Sequence, residues 1–494
     1  MRLRRYRHNR SNTRLASFNM GRCVPTAARH CIAGTTVVGG IAAGLMLAPM
    51  VHQALTKIRS DCWAVAAPDR ILWEDAEAFY TGGEDGNIRP EPPYIMSPAD
   101  GGWPVGSLAD HLGFPTGVPN LKCNALPFRL YAYWWNENVR RDHIQEEVPM
   151  ATTSGLDTVT NTELLNINWP KDMFTTATLE QQLGDEVVIP LATSAPVVAK
   201  SGTATLLSIF DSNNGTGHSV NLRRAADGNI NSLNYSSASS DFDTNLYSDL
   251  SHSSGVLPSD FKFAMAQQAW KSRRNLYGSR FKDWLAFLGI RYSDARLQLP
   301  RVIGRGSATM DINAVLQTAP GTGSSVGEAA GRGTGFASCR YKSFFEEPTT
   351  VIHVVAVRPA PVYVNIVPPE WDWEVREDLY TPEFAHVGMV LQRKGVLFPT
   401  GNEEEDNQPF GYRNRYDEMR TGFNDVSGAF KTTNLSYHQG RVFETAPSLN
   451  SDFLECNPSP RIFANMNGDH VEAAAIRNTF IEKNMVSPDG NPRF

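Results

Sequence analysis

Six arginines fall within the first fourteen residues: Arg2, Arg4, Arg5, Arg7, Arg10 and Arg14. Guanidinium groups at this density neutralise phosphates and release counterions without reading base sequence. The charge is segregated along the chain. Residues 1–60 hold ten Lys and Arg and no Asp or Glu, which leaves 36 basic against 52 acidic residues in the remainder. A basic arm on an acidic body points to a polyanion for the arm and not for the body. A targeting peptide or a solvated tail would carry the same charge. The six arginines are the candidate nucleic-acid contacts. A second basic group, Lys271, Arg273, Arg274 and Arg280, reads first as a solvated face and second as a nucleic-acid contact.

Other chemistry is sparse. Glu403-Glu404-Glu405-Asp406 offers clustered carboxylates of the kind calcium accepts, but the alternating ligands and central glycine of an EF-hand loop are missing. Gly321-x-Gly323-x-x-x-Gly327 lacks the spacing of a phosphate cradle. No H-E-x-x-H, G-x-S-x-G or P-loop lysine motif occurs. His353 sits inside an apolar run and reads as a satisfied core histidine; His386 is equally bland. The six cysteines, at 23, 31, 62, 123, 339 and 456, form no C-x-x-C pair and no zinc spacing, so they read as reduced, buried small hydrophobes. No enzyme activity, cofactor or metal is expected.

The elements that must carry these residues are mainly strands. The hydrophobic share of 41% and the charged share of 20% are enough for a sizeable core. Asp61 to Pro68 is an apolar strand halted by proline, and Asp69 to Tyr80 has helical spacing with Gly82 and Gly83 as its stop. Residues 81–120 hold eight glycines and seven prolines and read as a long loop, which needs a partner surface to justify its ordering entropy. Leu130 to Arg141 reads as a helix whose aromatics belong to a core. Glu186 to Leu191 reads as a short strand. Residues 201–257, with thirteen serines and seven asparagines, are a second polar insertion. Ser259 caps a helix bearing Phe263, Ala266 and Trp270. Phe281, Trp284, Leu285 and Leu288 lie at i, i+3, i+4 and i+7 before Gly289, a second helix. Met310 to Gln317 alternates as a half-buried strand, 319–336 is a glycine-rich link, Thr349 to Val357 is a strand buried on both faces, and Val362 to Val367 is an edge-tolerant strand. A β-barrel or sandwich with insertions fits this pattern better than a doubly wound α/β fold. Ile32 to Val51 is uncharged and long enough for a bilayer, yet five positions are Gly or Pro, and no export signal is evident.

Four blocks together resemble the major capsid proteins of the Microviridae, especially the gokushovirus-like branch. Asp61-Cys62-Trp63-Ala64-Val65-Ala66-Ala67-Pro68-Asp69-Arg70-Ile71-Leu72-Trp73 is similar to that family's aromatic strand and V-P-N-R-L-x-W signature. Asn124-Ala125-Leu126-Pro127-Phe128-Arg129, with Trp135-Asn136-Glu137 and Arg141-Asp142, resembles its N-A-L-P-F-R segment and N-E-x-x-R-D run. Ser293-Asp294-Ala295-Arg296-Leu297-Gln298 with Pro300 and Gly304 resembles S-P-D-A-R-L-Q-x-P-x-x-x-G. Phe410-Gly411-Tyr412, with Arg415-Tyr416 and Glu418, resembles F-G-Y-Q-E-R-W-x-E-Y. Ala64, Ala66 and Ala67 replace aromatics and Ser293 replaces a proline, which marks a divergent subgroup.

The resemblance implies a mainly β fold: an eight-stranded viral jelly-roll barrel with long inter-strand insertions and a few helices. It divides the chain into a basic N-terminal arm and lead-in over 1–60 and a single capsid domain over 61–494. The insertions would be about 81–120, 201–257 (the surface protrusion) and 319–336. It implies self-assembly into a T=1 icosahedral shell around a circular single-stranded DNA genome. The partners would be further copies of the chain, the DNA on the inner surface, minor virion proteins and a host surface receptor, with no membrane. The location would be the virion, and the host cytoplasm during assembly. Eight arginines in the first thirty residues would give a salt slope of about 5–6 on single-stranded DNA. The competing readings are a non-viral ligand-binding β-sandwich and a membrane-anchored protein using residues 32–51.

Overall fold

The computed structural model describes residues 4–182, 184, 185, 187, 258–278, 280–290, 293, 298–316 and 329–488, with short strands between 197 and 248. Five strands form within the first 68 residues: β1 (Tyr6–Asn9), β2 (Asn12–Phe18), β3 (Val24–Cys31), β4 (Thr35–Leu47) and β5 (Ile58–Pro68). Five more follow much later: β6 (Arg301–Thr309), β7 (Asp311–Leu316), β8 (Ala329–Phe345), β9 (Thr349–Pro359) and β10 (Val471–Asn484). They build two antiparallel sheets. One runs β1-β10-β4-β8-β7, with β2 also paired to β10, and the other runs β6-β5-β9-β3.

The described residues 4–60 are therefore not an arm outside the body. Arg7, Arg10 and Arg14 lie on or between edge strands paired to β10, and β4 is a central strand between β10 and β8. The twenty uncharged residues from Ile32 are apolar because β4 crosses the middle of a sheet. Val37, Ile41, Ala43, Leu45 and Leu47 are all buried there. Among the described residues no helix is long and apolar enough to cross a membrane.

The facing sides of the two sheets enclose one core. Ile41, Leu45, Ile476 and Phe480 of the six-stranded sheet meet Cys62, Ala64, Val351 and Val355 of the other. A buried polar network ties them. His353 Nδ1 bonds Asn478 Oδ1 at 2.9 Å, the Tyr341 hydroxyl bonds His353 Nε2 at 2.9 Å, and Asn478 Nδ2 donates to the Thr26 carbonyl at 3.1 Å. Every member is satisfied, as a buried polar network must be. Burial, opposed by the Asn478 hydrogen bond, pushes the His353 imidazole down to about 4. The core-histidine reading of His353 holds.

The outward side of the four-stranded sheet is covered as well. Trp63, Val65, Ile352 and Val354 pack against Phe128, Tyr131 and Trp134 of helix Leu126–Asn138, with Trp103 and Leu108 from the 81–120 loop. This is why β5 and β9 read as continuous apolar runs: both faces are dry. The helix begins four residues before Leu130, the start read from the sequence. The Asn124 side chain accepts from the Leu126 amide, and Pro127 is tolerated in a first turn. Residues 81–120 hold a short strand, Tyr94–Met96, paired with Lys122–Asn124 just beyond them, and a helix, Leu108–Leu112. A third cluster gathers Phe174, Tyr363, Leu397, Phe410 and Phe453.

Four expectations need correction. The glycine-rich link 319–336 falls outside the described residues up to 328, and from 329 it is β8. Its glycines are spaced for a strand: a Cβ at Gly333 would lie 2.6 Å from the Leu47 side chain, and one at Gly335 2.7 Å from Met310. Val362 to Val367 forms no strand; Tyr363 makes two isolated bridges, to Asp425 and Arg441. The nearby Pro359, Pro361 and Pro368 remove the donors a ladder needs. The strand expected over Met310 to Gln317 is an edge, Asp311–Leu316, and Val315 and Leu316 are exposed rather than half-buried. Residues 182–274 form a compact unit of their own. In it Ser208–Asp211 pairs with Gly217–Ser219 and Phe242–Thr244, and Asn221–Arg224 pairs with Ile230–Asn234, so strands run through the stretch read as polar loop. Most of 201–257, and Glu186 to Leu191 apart from Val187, lie outside the described residues.

Candidate nucleic-acid interface

The six candidate arginines do not act as one group. Arg2 lies outside the described residues. Arg4, Arg5 and Arg7 are exposed at the sheet edge, and the Arg5 guanidinium sits over the Phe344 ring at 5.4 Å. Register places Arg7 directly across from Lys483 on β10. Arg10, by contrast, is held in the fold: its guanidinium donates to both Glu482 oxygens at 3.0 and 3.1 Å and to the His30 carbonyl at 3.0 Å. Glu482 is 1% exposed, so Arg10 compensates a buried carboxylate. Arg14 donates to the His111 carbonyl, and burial holds its guanidinium below the usual range. It borders an open cleft of about 1010 Å³ that also contains Trp103, Asp110 and Asp469. The sequence pattern located the basic edge; it could not separate arginines left exposed from those that close the fold.

The second basic group divides too. Arg280 bonds Asp142 at 2.7 Å and the Glu137 carbonyl at 2.7 Å, so it closes its own unit. In the 182–274 unit, Lys271 donates to the Asp185 carbonyl and Arg274 lies 5.8 Å over Trp270. The acidic cluster is one helical turn. Asp406 accepts from the Thr400 amide and hydroxyl and the Gly401 amide, which hold its carboxyl below the usual range. Among the described residues no group of three His, Cys, Asp or Glu could hold a metal ion. All six cysteines are free and buried, and burial raises the Cys456 thiol to about 12. His386 is exposed.

The motif blocks prove to be structural joints. Arg129 is fully buried, with Nε on Asp157 at 2.9 Å, Nη1 on the Leu72 carbonyl at 2.9 Å and Nη2 on the Thr153 carbonyl at 2.8 Å. Burial alone would raise the Asp157 carboxyl, but Thr160 and Arg129 outweigh it and hold it low. Asn136 brackets Val148 with two hydrogen bonds, 2.8 Å from Nδ2 to its carbonyl and 2.9 Å from its amide to Oδ1. Arg141 Nη2 donates to the Thr176 carbonyl at 2.6 Å. At Gly411 a Cβ would sit 2.9 Å from the Thr178 carbonyl, where Tyr412 and Thr178 exchange backbone hydrogen bonds. Ser293 and Gln298 frame residues 294–297, which lie outside the described set.

Comparison with known proteins matches this framework along nearly its whole length. A phage family described as "Capsid protein (F protein)" matches residues 1–489. Capsid protein VP1 of Bdellovibrio phage phiMH2K is 27% identical over 479 residues, covering 92% of this chain and 88% of the relative. Capsid protein VP1 of Spiroplasma virus 4 is 25% identical over 480 residues, covering 89% and 86%. Capsid protein VP1 of Chlamydia phage 1 is 27% identical over 541 residues, covering 92% and 90%. Neither the ligand-binding sandwich nor the membrane anchor gains support from these matches. A two-sheet β framework, with joints at the quoted blocks and a match from the first residue to the 489th, means that the chain belongs to the phage F capsid-protein family and is a major capsid protein of the Microviridae kind.

Proposed function

We propose that copies of this chain assemble into a T=1 icosahedral shell that encloses a single-stranded DNA genome, each copy built on an eight-stranded jelly-roll barrel. The family match over residues 1–489 carries the reading. Strand order supports the barrel. With β2, β3, β4, β5, β6, β8, β9 and β10 numbered one to eight, the sheets read 1-8-3-6 and 5-4-7-2, the interleaving that two Greek keys produce. The two largest connections are then residues 69–300 and 360–470. The 201–257 stretch, within the first of these, is the proposed surface protrusion.

Large apolar groups left wet support assembly. Phe281 and Trp284 are 60% and 44% exposed on the Phe281–Phe287 helix, and Trp371 is 71% exposed. Contiguous exposed apolar surface marks interaction sites, and repeated heterologous contacts around symmetry axes close a shell. Arg2, Arg4, Arg5 and Arg7 are the arginines assigned to the genome; Arg10 and Arg14 serve the fold. Minor virion proteins and a host receptor complete the proposed partners, with assembly in the host cytoplasm. Electron microscopy of the purified protein tests the reading. Uniform closed shells are the expected result, and monomers at every concentration and ionic strength would overturn it.

A further inference from the structure

The two sheets differ on their outward sides. The four-stranded sheet is buried under the Leu126–Asn138 helix and the 81–120 loop. The outward side of the six-stranded sheet is open, with Val38 44%, Phe336 62% and Phe344 46% exposed.

Register shows what this open side presents. Residues directly opposite one another point the same way. One row aligns Arg7, Lys483 and Phe344. Another aligns Arg477 with Ala42, and a third aligns Phe336 with Gly44. Arg340 and Lys342 lie between the two phenylalanines on β8, and both are exposed. Ala42 and Gly44 make a low floor along β4: nothing lies nearer than 3.8 Å to a Cβ built at Gly44, while Gly40 is buried beside the Cys339 carbonyl and the Arg340 side chain. The acids that share this side are Glu472, bonded to Arg332 at 2.9 Å, and Asp311 at the far edge. Five exposed cations thus surround a flat floor with an exposed phenyl ring at each end. Eight residues separate those rings, which is about 27 Å.

A rigid β surface has no need of exposed phenylalanines interleaved with arginines and lysines. Leaving apolar rings in water and crowding like charges both oppose folding. Both terms reverse when a flexible polyanion with flat apolar faces lies across the surface. Cations that track a phosphate backbone, with aromatic side chains on which bases stack, is the chemistry of single-stranded nucleic-acid recognition. An acidic polypeptide would satisfy the cations but supply no ring to stack. We infer that the outward side of the six-stranded sheet is a platform for a single nucleic-acid strand, with phosphates on Arg7, Arg340, Lys342, Arg477 and Lys483 and bases on Phe336 and Phe344. The Arg5 guanidinium over Phe344 prolongs the stack. This deepens the genome reading above and rests on it, but it moves the principal contacts from the terminal arginines to the sheet.

The test is fluorescence anisotropy of a labelled thirty-residue oligothymidylate with the full-length protein across a salt titration. Phe336→Ser is expected to weaken binding about tenfold at unchanged salt slope, in the range measured for one stacked base. The triple variant Arg340→Gln, Lys342→Gln, Arg477→Gln is expected to lower the salt slope by about 2. All four positions are exposed, so unchanged melting curves confirm the fold. If these variants bind as wild type while Arg2→Gln with Arg4→Gln weakens binding, the platform is refuted and the arginine reading stands. If the wild-type protein binds no oligonucleotide at low salt, both fall. If polyglutamate of equal charge competes as well as the oligonucleotide, stacking is refuted and the surface is a seat for an acidic protein.

Discussion

Acidification tests the buried His353 network with a magnitude that can be worked in advance. His353 is 0% exposed, stacks on Phe480 at 4.4 Å between ring centroids and bonds Tyr341 and Asn478. The Arg29 charge also disfavours protonation. Its folded-state value of about 4 lies below the ordinary value near 6.5. The unfolded chain therefore binds the proton first, and stability falls as pH drops below about 6.5. With those two values the loss is about 2 kcal/mol by pH 5 and about 3 kcal/mol by pH 4, where it levels off. The stabilisation is fully present above pH 6.5. The assay is urea unfolding of the disassembled subunit at pH 7.5, 6, 5 and 4.5, beside His353→Gln. The substitution removes the titration, and its amide can replace one of the two hydrogen bonds. The variant is expected to be weaker at pH 7.5, and the gap to wild type should close as pH falls. His30 works in the opposite sense: its hydrogen bond to Asp69 at 2.7 Å raises its value, so it favours folding at low pH, weakly because the imidazole is 44% exposed. A gap that stays constant from pH 7.5 to 4.5 would refute the network's role.

Other perturbations have equally definite outcomes. Arg129→Met leaves Asp157 buried without its cation and should cost about 3–5 kcal/mol in denaturant unfolding; adding Asp157→Asn should recover part of that, and a full additive loss would argue against the pairing. Gly21→Ala places a methyl 1.9 Å from the Cys456 carbonyl at a backbone φ of +86°, so soluble yield should fall and the melting temperature should drop by several degrees. A thiol-reactive dye should label almost none of the six cysteines in the native subunit and all six in guanidinium, and fast native labelling would contradict their burial.

What could be read from the sequence depended on which signal was local. β5 and β9 were legible because strands dry on both faces leave continuous apolar runs, and most of the Leu126–Asn138 helix because it lies in an aromatic-rich stretch with neither glycine nor proline from Leu130 to Arg141. The six buried cysteines and His353 followed from the absence of any partner chemistry nearby. The N-terminal strands were missed because net charge spoke louder than alternation. Tyr6 and His8 are half-buried while Arg7 and Asn9 are exposed, a period of two that four residues can barely express. Glycines in β8 read as a linker because glycine usually breaks strands; here Leu47 and Met310 occupy the space their side chains would fill. The candidate interface was least legible. Arg10 and Arg7 look alike in sequence, and only pairing with a strand more than 470 residues away puts one on a buried carboxylate and the other beside Lys483.

The same topology explains why one side of the molecule is covered and the other open. β5 and β6 are neighbours in the four-stranded sheet, so the 69–300 connection leaves and re-enters at adjacent strands of that sheet. Its first part folds back over the sheet it left, burying Trp63 and Val65 beneath Phe128 and Trp134. Once the ends are fixed by the ladder, lengthening a connection is inexpensive: doubling it adds only about 0.6 kcal/mol of closure entropy. Insertions can therefore grow on the four-stranded side with little penalty to the two-sheet framework. In the six-stranded sheet, β10 is preceded by the 360–470 connection, whose Phe410 and Phe453 pack with Tyr363 in a cluster separate from both sheets. That connection packs Ile462 and Phe463 into the core between the sheets and leaves the outward side of the six-stranded sheet uncovered. The proposed platform fits this division, with the insertions on one side and an open, cationic sheet surface on the other. Grafting a covering helix onto the six-stranded side should thus spare the fold and the melting temperature yet abolish oligonucleotide binding, whereas trimming residues 201–257 should leave that binding intact.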